Sequence, residues 1–578
     1  MTRTPPVPRS SAAQEPALAG VIRRTFFTPA PEQPSAVDCG LVPAPGRIIA
    51  LGMAGLALMA LASVGAAAVL VPDPVLNGTA FSWLRYGHGK QLATAVFYIG
   101  LAMFVIGWIR LGREVRAGRV DVRGMLIAIG AWVLPILCSP PLSSRDIFSY
   151  LAQGDLALHG YDPYSYGVSV LNDQLSANVD PVWQNTPAPY GPLFILLAKC
   201  VVIVTGQSTI VGVLAMRATM CIGLLLLCWA LPRLAERLGG RPGVALWFGV
   251  ANPLVLVYLA GGGHNDLLMM GLLAAGVVKV LDRRHVTGIA LVTGAFAVKA
   301  TAGVALPFLV WIWANRLPGS TAGRFRKAAG GTLAVVLPVF ALCTLAAGVS
   351  LGWLPALSAS SVVVEWISIP TAVGQLSHTI ASGFTTVPSE TFMSVARLAG
   401  WLVLIALVGR QWWRARSGQP TETIRRAAVA MLIVALFSPA TLPWYFSWAL
   451  ILSAGLAWSG PRLVLGVFGS VWITLITYPT GTSALYDWAI LPLFVVLAGL
   501  TAVSLLRPDP LGLKSHRPGA ELPQLTALPR QVFRPALGEP ETPAGEEQRA
   551  LIESAIAESM ESAEFDQVAR TQAPVRGA

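Results

Sequence analysis

An acidic residue follows directly on an apolar run in "SSRDIFSYLAQGDLALHGYDPYSYG", residues 143 to 167. A carboxylate such as Asp146 can act as a general base and take a proton from a hydroxyl group. The residue also has a purely structural interpretation. Ser143 and Asp146 have the spacing of a capping box, and the helix dipole stabilises an acid at a helix N-terminus. Both interpretations predict that a helix begins here, and they carry equal weight.

The residues after Asp146 predict an amphipathic helix that lies along the membrane surface. Its apolar side chains face lipid or protein, while Gln153, Asp155 and His159 face water. Gly160 predicts the end of this helix, and Asp162 begins a turn. Asp155 is a weaker candidate acid than Asp146, because a solvated helix face explains it better.

A second polar group follows three glycines in "GGGHNDLL", residues 261 to 268. Glycines allow a ligand to approach the backbone closely, and a helix N-terminus with a histidine favours anions. His264 is therefore a candidate phosphate ligand, and Asn265 and Asp266 are candidate sugar contacts. A loop turn with an Asn or Asp cap is the structural alternative. No HExxH or CxxC motif accompanies these residues, so the sequence predicts no metal site.

Lys299 is a cation inside an apolar run, "AFAVKATAG". A charge at this depth costs about 2.5 to 3.5 kcal/mol on insertion scales, so such residues are usually functional. Lys299 is a candidate ligand for a lipid-linked phosphate, and snorkelling to the membrane surface is the alternative. Arg145 is a candidate for the same role, or for support of Asp146.

Aromatic residues accompany these polar groups. The segment "VDPVWQNTPAPYGPLF", residues 179 to 194, combines Trp183 and Tyr190 with four prolines in a rigid extended segment. Aromatic faces suit sugar rings, and they also gather at any membrane interface. The candidate sugar or acceptor contacts are Tyr150, Trp183, Tyr190, Trp444 and Tyr445. Further residues, Glu365, Trp366 and His378, are predicted to form an outer wall.

The composition predicts a membrane protein with many spans. Only 12% of the 578 residues are charged, against about 25% in soluble domains. The formal charge of +12 favours the positive-inside rule over nucleic-acid binding, because the arginines cluster between apolar runs. The six cysteines show no CxxC spacing, and no nucleotide-binding motif is present.

The apolar runs predict an all-α polytopic protein with about fourteen transmembrane helices and both termini in the cytoplasm. The run 285–316 is too long for one helix, so it is predicted to break near Lys299. The run 190–206 is predicted to lie re-entrant or along the outer surface, because counting it as a crossing would disturb the arginine pattern.

Three regions follow from this topology. Residues 1–46 and 507–578 are predicted to be largely disordered cytoplasmic tails, with a short acidic helix possible from Glu546 to Phe565. Residues 47–506 form the membrane region. Its outer side carries a catalytic loop, 141–191, and a second loop, 351–390.

Three stretches together resemble the polyprenol-phosphomannose-dependent α-1,6-mannosyltransferases of the MptA/MptB type, in the GT-C superfamily of membrane glycosyltransferases. They are "SRDIFSYLAQGDLALHGYDPYSYG", "VDPVWQNTPAPYGPLFILLAK" and "GGGHNDLLM". The resemblance extends over residues 47 to 506 and is densest at 143–194. Both subtypes stay open, and the "PAPYGPLF" context favours the MptB type.

The resemblance implies a GT-C fold and transfer of mannose from polyprenyl-phosphate-mannose to a lipomannan-type α-1,6-mannan on the extracytoplasmic face of the plasma membrane. It implies Asp146 as the base of a single inverting displacement. Lys299, with His264 or Arg145, would stabilise the leaving phosphate. The partners are then the lipid-linked donor, a glycolipid acceptor and membrane lipid, without nucleic acid. No cofactor is required, and a divalent cation is left open.

Two other classes of protein compete with this interpretation. A secondary transporter or lipid flippase would explain many helices and a charge in a broken span, and it predicts two halves of matching hydropathy. A non-catalytic assembly scaffold would not need Asp146, His264 and Lys299 to converge. The long outer loop with its acidic residues favours the enzyme.

Overall fold

The structure is a computed structural model that describes residues 46–508 and 510, except 69, 71, 72, 74 and 385. The predicted tails lie almost entirely outside the described residues, as does the acidic helix predicted from Glu546 to Phe565. Within the described residues the regular elements are helices alone.

The longer helices are numbered here in chain order. They are α1 (Gly46–Ala66), α2 (Gly87–Arg116), α3 (Val122–Leu137), α4 (Asp146–Leu158), α5 (Pro192–Thr205), α6 (Thr209–Leu238), α7 (Pro242–Gly249), α8 (Asp266–Leu281), α9 (His285–Val298), α10 (Leu306–Ala314), α11 (Thr321–Ala347), α12 (Ile369–Ala381), α13 (Ser389–Ala415), α14 (Pro420–Phe437), α15 (Phe446–Ala454), α16 (Gly460–Leu475) and α17 (Leu491–Ser504). A π-helix, Leu254–Gly261, stands between α7 and α8.

Short segments connect these helices. The 3-10 segments are Ser82–Arg85, Val168–Leu171, Ala300–Ala305, Leu357–Val362, Pro443–Tyr445 and Ala484–Tyr486. The short α-helices are Gln174–Ala177, Pro181–Gln184 and Trp353–Ala356.

The helices identify an all-α membrane protein. Among the described residues, α1, α2, α6, α11 and α13 are long and apolar enough to cross a bilayer. The pair of α7 and the π-helix adds a sixth span if this pair, bent by 58°, is counted as one. Several shorter apolar helices accompany them, α3 and α5 included. The count of about fourteen crossings stays a prediction.

A polar break separates α7 from the π-helix. Pro253 has no backbone N–H to donate, and the Asn252 side chain occupies the gap. Its Oδ1 accepts a hydrogen bond from Leu254 N at 2.9 Å, and its Nδ2 donates to Phe248 O at 3.0 Å and to Ser470 Oγ at 2.9 Å. Asn252 thereby satisfies the backbone groups that the break exposes.

The predicted break at Lys299 is confirmed. Helix α9 ends at Val298, and Lys299 has an extended backbone before the 3-10 segment Ala300–Ala305 and α10. Its side chain therefore leaves the chain at the turn between two half-length helices. The run 190–206 forms helix α5, whose 14 residues span about 21 Å.

The segments rich in arginine meet at one end of the helices. Arg113 Nε donates to Ser504 O at 2.8 Å, and Arg241 Nη1 donates to Arg116 O at 2.7 Å. On neighbouring helices, Arg316 Nη2 donates to Leu281 O at 3.1 Å. Segments that the positive-inside rule assigns to one side are thus in contact with one another.

The expectation of a wet face on α4 is wrong for Gln153 and Asp155, which are buried, whereas His159, just after the helix, is exposed as expected. Residues 147–157 are all buried, and Asp155 is only 1% exposed. Helix α5 covers α4 so closely that a Cβ on Gly154 would lie 2.5 Å from the carbonyl of Ala198. Gln207 Nε2 donates to Asp155 Oδ2 at 3.0 Å, so the polar face meets protein rather than water.

Candidate active site

Helix α4 begins at Asp146, but the predicted capping box does not form. Ser143 adopts a left-handed backbone conformation, with φ 54°, and its N–H donates to Pro479 O at 3.1 Å. Ser144 takes over the local cap, since its Oγ accepts the N–H of Asp146 at 3.1 Å. The Asp146 carboxylate, at the first position of the helix, therefore makes no capping hydrogen bond.

The Asp146 carboxylate faces His264. Its Oδ2 lies 3.4 Å from His264 Nδ1, close enough for an ion pair but without hydrogen-bond geometry. The side chain of Asp146 is 15% exposed, whereas that of His264 is fully buried. The His264 ring stacks on Trp444, with centroids 3.9 Å apart and planes at 26°. The imidazole is thus fixed beside a partly accessible carboxylate.

Asp266 and Lys299 form a second charged group. Lys299 Nζ lies 3.0 Å from Asp266 Oδ1 and 2.8 Å from Oδ2. Trp448 Nε1 donates to the same Oδ1 at 2.6 Å, and the Asp266 side chain is fully buried. The ammonium also lies 4.7 Å from the Tyr445 ring centroid and 5.6 Å from that of Trp448. Such an aromatic surround favours a cation.

Tyr150 and Tyr190 form an aromatic wall of the site. Their rings meet edge to face with centroids 5.2 Å apart, and both contact Phe194 in the same way. Burial raises the pKa of both hydroxyls, and the nearby carboxylates of Asp146 and Asp266 add to that increase. These hydroxyls therefore stay protonated and can donate hydrogen bonds.

Tyr445 belongs to the same environment. Burial raises the pKa of its hydroxyl, and the charges of Asp266 and Asp146 act in the same direction. The charges of both carboxylates thus act on Tyr445, and the Lys299 ammonium group lies over the Tyr445 ring. Trp444, which stacks on His264, also meets the Tyr445 ring edge to face with centroids 6.2 Å apart, so the two charged pairs are parts of one site.

Several buried polar atoms in this region have no hydrogen-bond partner among the described residues. They belong to His264 (both ring nitrogens), Asn265 (both amide atoms), Ser447 (the hydroxyl) and Tyr150, whose hydroxyl faces the Asn265 backbone without good hydrogen-bond geometry. More than 90% of buried polar groups are normally paired. This concentration is typical of a site that receives a polar ligand.

Arg145 and Trp183 have their observed contacts in a neighbouring segment. The Arg145 guanidinium donates to Asn178 O at 2.8 Å from Nη2, and the charge of Asp180 acts on it. Trp183 is half-buried, and its backbone N–H donates to Asp180 O at 2.8 Å. Arg145 thus holds the segment around Asn178 against the start of α4.

Arg217, which is not among the predicted site residues, supports the site through three backbone carbonyls. Its Nη1 donates to Leu137 O and Ser139 O, each at 2.7 Å, and its Nη2 donates to Gly261 O at 3.0 Å. Leu142 N donates to the same Gly261 carbonyl at 3.2 Å. One buried guanidinium therefore joins the chain before Asp146 to the chain before His264. Arg217, like Lys299, is a cation inside an apolar run, and this position in the sequence could have identified it as a candidate functional residue.

Trp448 and Ser447 were also outside the predicted site residues. Trp448 hydrogen-bonds Asp266, and its ring stacks on Tyr445 with centroids 4.3 Å apart. Both follow the predicted pair Trp444 and Tyr445 within three residues. Within the described residues, no group of three or more His, Cys, Asp or Glu side chains is arranged to hold a metal ion.

The fold and the site together define an all-α membrane protein with a polar, charged site at one end of its helices. Two family models match the chain. They are the alpha-(1→6)-mannopyranosyltransferase N-terminal domain, over residues 49–315, and the MptB C-terminal domain, over residues 370–507.

Curated relatives cover most of the chain. Alpha-(1→6)-mannopyranosyltransferase A of Mycobacterium tuberculosis is 40% identical, over 82% of this chain and 92% of its own length. The protein of the same name from Corynebacterium glutamicum is 30% identical, over 80% and 99%. Alpha-(1→6)-mannopyranosyltransferase B of C. glutamicum is 27% identical, over 69% and 71%. No solved structure matches the chain.

The chain belongs to the alpha-(1→6)-mannopyranosyltransferase family. The protein is a mannosyltransferase, and the GT-C superfamily is consistent with this family.

Proposed function

We propose that the enzyme transfers mannose from polyprenyl-phosphate-mannose to the 6-hydroxyl of a lipomannan-type α-1,6-mannan. The observation that carries the proposal is the meeting of Asp146, His264 and the Lys299–Asp266 pair around one set of tyrosines. The printed names of the relatives support the transferred sugar and the linkage.

Asp146 is the better candidate for the base. Its side chain is partly exposed, and among the described residues no lysine or arginine is paired with its carboxylate. Asp266 is fully buried and already holds Lys299 and Trp448. A carboxylate that binds an ammonium group and an indole N–H is a poor proton acceptor, because protonation would break those contacts.

The reaction is a single displacement. Asp146 takes the proton of the acceptor 6-hydroxyl, and the oxygen attacks the anomeric carbon of the donor. The bond from that carbon to the phosphate oxygen breaks, and polyprenyl phosphate leaves with the electron pair. Because this displacement inverts the anomeric carbon, an α-linked product requires a β-linked donor.

The leaving phosphate needs nearby positive charge and hydrogen-bond donors. The Lys299 side chain is 11% exposed, and its ammonium group lies over the Tyr445 ring, 4.7 Å from the centroid. The N–H of the His264 imidazole and the protonated hydroxyls of Tyr190 and Tyr445 supply further donors. Preorganised donors of this kind stabilise charge that develops in a transition state.

The extracytoplasmic orientation is part of the proposal. Helix α8 begins at Asp266 in the site and ends at Leu281, where Arg316 binds, so its 16 residues separate the two ends by about 24 Å. The positive-inside rule assigns the arginine end to the cytoplasm of a plasma membrane protein. The described chain also ends there, since Arg113 binds Ser504. Both termini would then be cytoplasmic and the site extracytoplasmic.

The subtype is also a proposal. An identity of 40% to a type A relative, against 27% to a type B relative, favours type A. This differs from the MptB type that the "PAPYGPLF" context favours. Acceptor preference measured beside both relatives would assign the subtype.

The experiment is mannosyl transfer from polyprenyl-phosphate-mannose in proteoliposomes. We expect Asp146→Asn to insert normally and to lower kcat about 1,000-fold, the scale of a lost general base. Asp162→Asn is the matched control, because Asp162 lies in the same loop and accepts the Tyr164 N–H within a turn. Normal turnover by Asp146→Asn would refute the base assignment.

Two further outcomes test the rest of the proposal. Movement of solute or lipid across the bilayer without sugar transfer would assign the protein to the transporters or flippases instead. A chelator added to the same assay decides whether a divalent cation assists the departing phosphate.

A further inference from the structure

A loop between α16 and α17 touches the chain that leads into Asp146. The loop turns tightly, with Tyr478 N donating to Thr482 O and Gly481 N to Tyr478 O, both at 2.9 Å. Pro479, inside this turn, accepts the N–H of Ser143 at 3.1 Å. The loop is therefore fixed three residues before the proposed base.

The far arm of this loop carries exposed aromatic rings. Trp488 is 66% exposed and Tyr486 is 48% exposed. The Trp366 ring meets both edge-on, with centroids 5.4 Å from Trp488 and 6.1 Å from Tyr486. Tyr486 Oη donates to Val364 O at 2.9 Å, which holds the two segments together. We call Trp366, Tyr486, Trp488 and the adjacent Glu365 the aromatic patch.

The aromatic patch is also tied to the other side of the site. Ser368 Oγ donates to Ser438 O at 2.6 Å, and Thr371 Oγ1 donates to Pro439 O at 2.8 Å. The chain continues from Pro439 to Trp444, which stacks on His264. The patch thus joins the loop before Asp146 to the loop before Trp444.

Glu365 gives the aromatic patch an unused hydrogen-bond acceptor. Its Oε2 is enclosed and has no hydrogen-bond partner, and no cation pairs with it among the described residues. Burial raises the pKa of this carboxyl group, and the Ser483 hydroxyl opposes the increase more weakly. An enclosed carboxylate oxygen without a partner, such as Oε2, is costly, and a hydroxyl donor would relieve that cost.

We infer that the aromatic patch binds mannose residues of the acceptor chain beyond the residue that receives the new sugar. This inference rests on the proposed function. A pyranose ring presents C–H groups that pack on an aromatic face and hydroxyl groups that donate to a carboxylate. Sites for such ligands combine apolar and aromatic surface with a few well-placed polar groups.

A membrane-interface belt is the competing interpretation of exposed tryptophan and tyrosine. A belt explains Trp488 and Tyr486, but it gives no reason to enclose the Glu365 carboxylate among them. Nor does a belt require the hydrogen bonds that tie its flanking segments to the chain before Asp146 and to the chain before Trp444. The acceptor glycan accounts for all three observations.

The test compares a disaccharide with a hexasaccharide of α-1,6-linked mannose as acceptors, each on the same short alkyl anchor. We expect Trp488→Ala and Glu365→Gln to raise KM for the hexasaccharide about tenfold, the scale of one lost aromatic or charged contact. The values of kcat, KM for the donor and KM for the disaccharide should stay unchanged. Trp83→Ala is the matched control, because Trp83 is a 51% exposed tryptophan in a different outer loop segment.

Tryptophan fluorescence measures binding of the hexasaccharide to the aromatic patch without requiring turnover. If the wild type transfers mannose but both variants keep the wild-type KM and affinity for the hexasaccharide, the inference is overturned and the proposed function stands. If only stability or insertion changes, and does so equally in Trp83→Ala, the patch belongs to a belt. Wild-type binding that the patch variants weaken, without any transfer, would contradict the proposed function and support the patch.

Discussion

Lys299 Nζ bridges both carboxylate oxygens of Asp266, at 3.0 and 2.8 Å, across the ends of two helices. Lys299 follows α9, and Asp266 begins α8, where the helix dipole also favours a negative charge. The pair offsets the cost of placing either charge in an apolar setting. It therefore presents a preorganised ammonium group to the site, rather than a freely moving one.

This relationship predicts how the two residues respond to substitution. Lys299→Met and Asp266→Asn should each destabilise the protein by about 3 kcal/mol, because each leaves one buried charge unpaired. The double variant should regain much of that stability and remain inactive in transfer. Thermal unfolding in detergent and a transfer assay measure the two effects separately.

The matched control for this pair is Asp282→Asn. Asp282 pairs with Arg237 at 2.6 Å on a more exposed surface, so its loss should cost about 1 kcal/mol or less. A double variant of Lys299 and Asp266 that transferred mannose at the wild-type rate would show that the ammonium group has no part in the reaction.

Arg217 provides the second prediction. Arg217→Met should destabilise the protein by about 3 kcal/mol or more, because the carbonyls of Leu137, Ser139 and Gly261 lose their donor in a buried setting. It should also lower kcat, since these carbonyls hold the chain before Asp146 and the chain before His264. Arg217→Lys should recover part of both losses, because an ammonium can reach fewer of the carbonyls.

Arg233→Met is the control for Arg217. Arg233 lies on the same helix, is exposed and donates to Trp229 O at 2.8 Å. Its loss should leave transfer unchanged. Equal effects of the two substitutions on kcat would argue against a special role for Arg217.

Gly191 provides the third prediction. A Cβ at Gly191 would overlap the carbonyl of Ala297, and Gly191 N donates to Val298 O at 3.1 Å. Gly191→Ala should therefore shift Tyr190 from its ring contacts with Tyr150 and Phe194 and lower kcat about tenfold. Gly130→Ala is the control, because a Cβ there meets nothing within 4 Å, and it should keep full activity. Wild-type kcat for Gly191→Ala would mean that the position of Tyr190 is unimportant.

Glu365 provides a pH-dependent prediction. Burial raises the pKa of this carboxyl group above its usual value of 4.5, so the folded state prefers the protonated form. The stabilising contribution is complete below about pH 4.5 and is lost as the pH rises through the higher pKa of the folded state. Glu365→Gln, which cannot ionise, should therefore raise Tm at pH 7.5 and give no gain near pH 4. An equal gain at both pH values would contradict this account.

The sequence was sufficient to predict features that depend on the free energy of a single residue in its local segment, such as a charge in an apolar run or a backbone turn. Lys299 could be placed at a break, because a charge in a run too long for one helix leaves few other solutions. The end of α4 at Gly160 and the turn at Asp162 follow from local backbone preferences in the same way. Asp146, His264 and Tyr445 could each be named from local sequence, and the structure places them in one site.

Features that depend on tertiary contacts could not be predicted. The capping box of Ser143 and Asp146 does not form, because Pro479, distant in sequence, accepts the Ser143 N–H that the Asp146 carboxylate would accept in such a box. Asp155 could not be placed inside, because its burial depends on Gln207 and on the close packing of α5 over Gly154. The pairing of Asp266 with Lys299 was missed for the same reason, since each residue alone suggested a ligand contact.

The bond between Ser143 and Pro479 also limits how this region can vary in length. It fixes the chain three residues before Asp146, and each helical residue turns the side-chain direction by about 100°. One inserted or deleted residue between 143 and 146 would aim the carboxylate away from His264, even with every side chain intact. Past Gly160, where the chain is exposed, an insertion would leave that aim unchanged. The permitted positions for insertions and deletions are thus set by a single backbone contact.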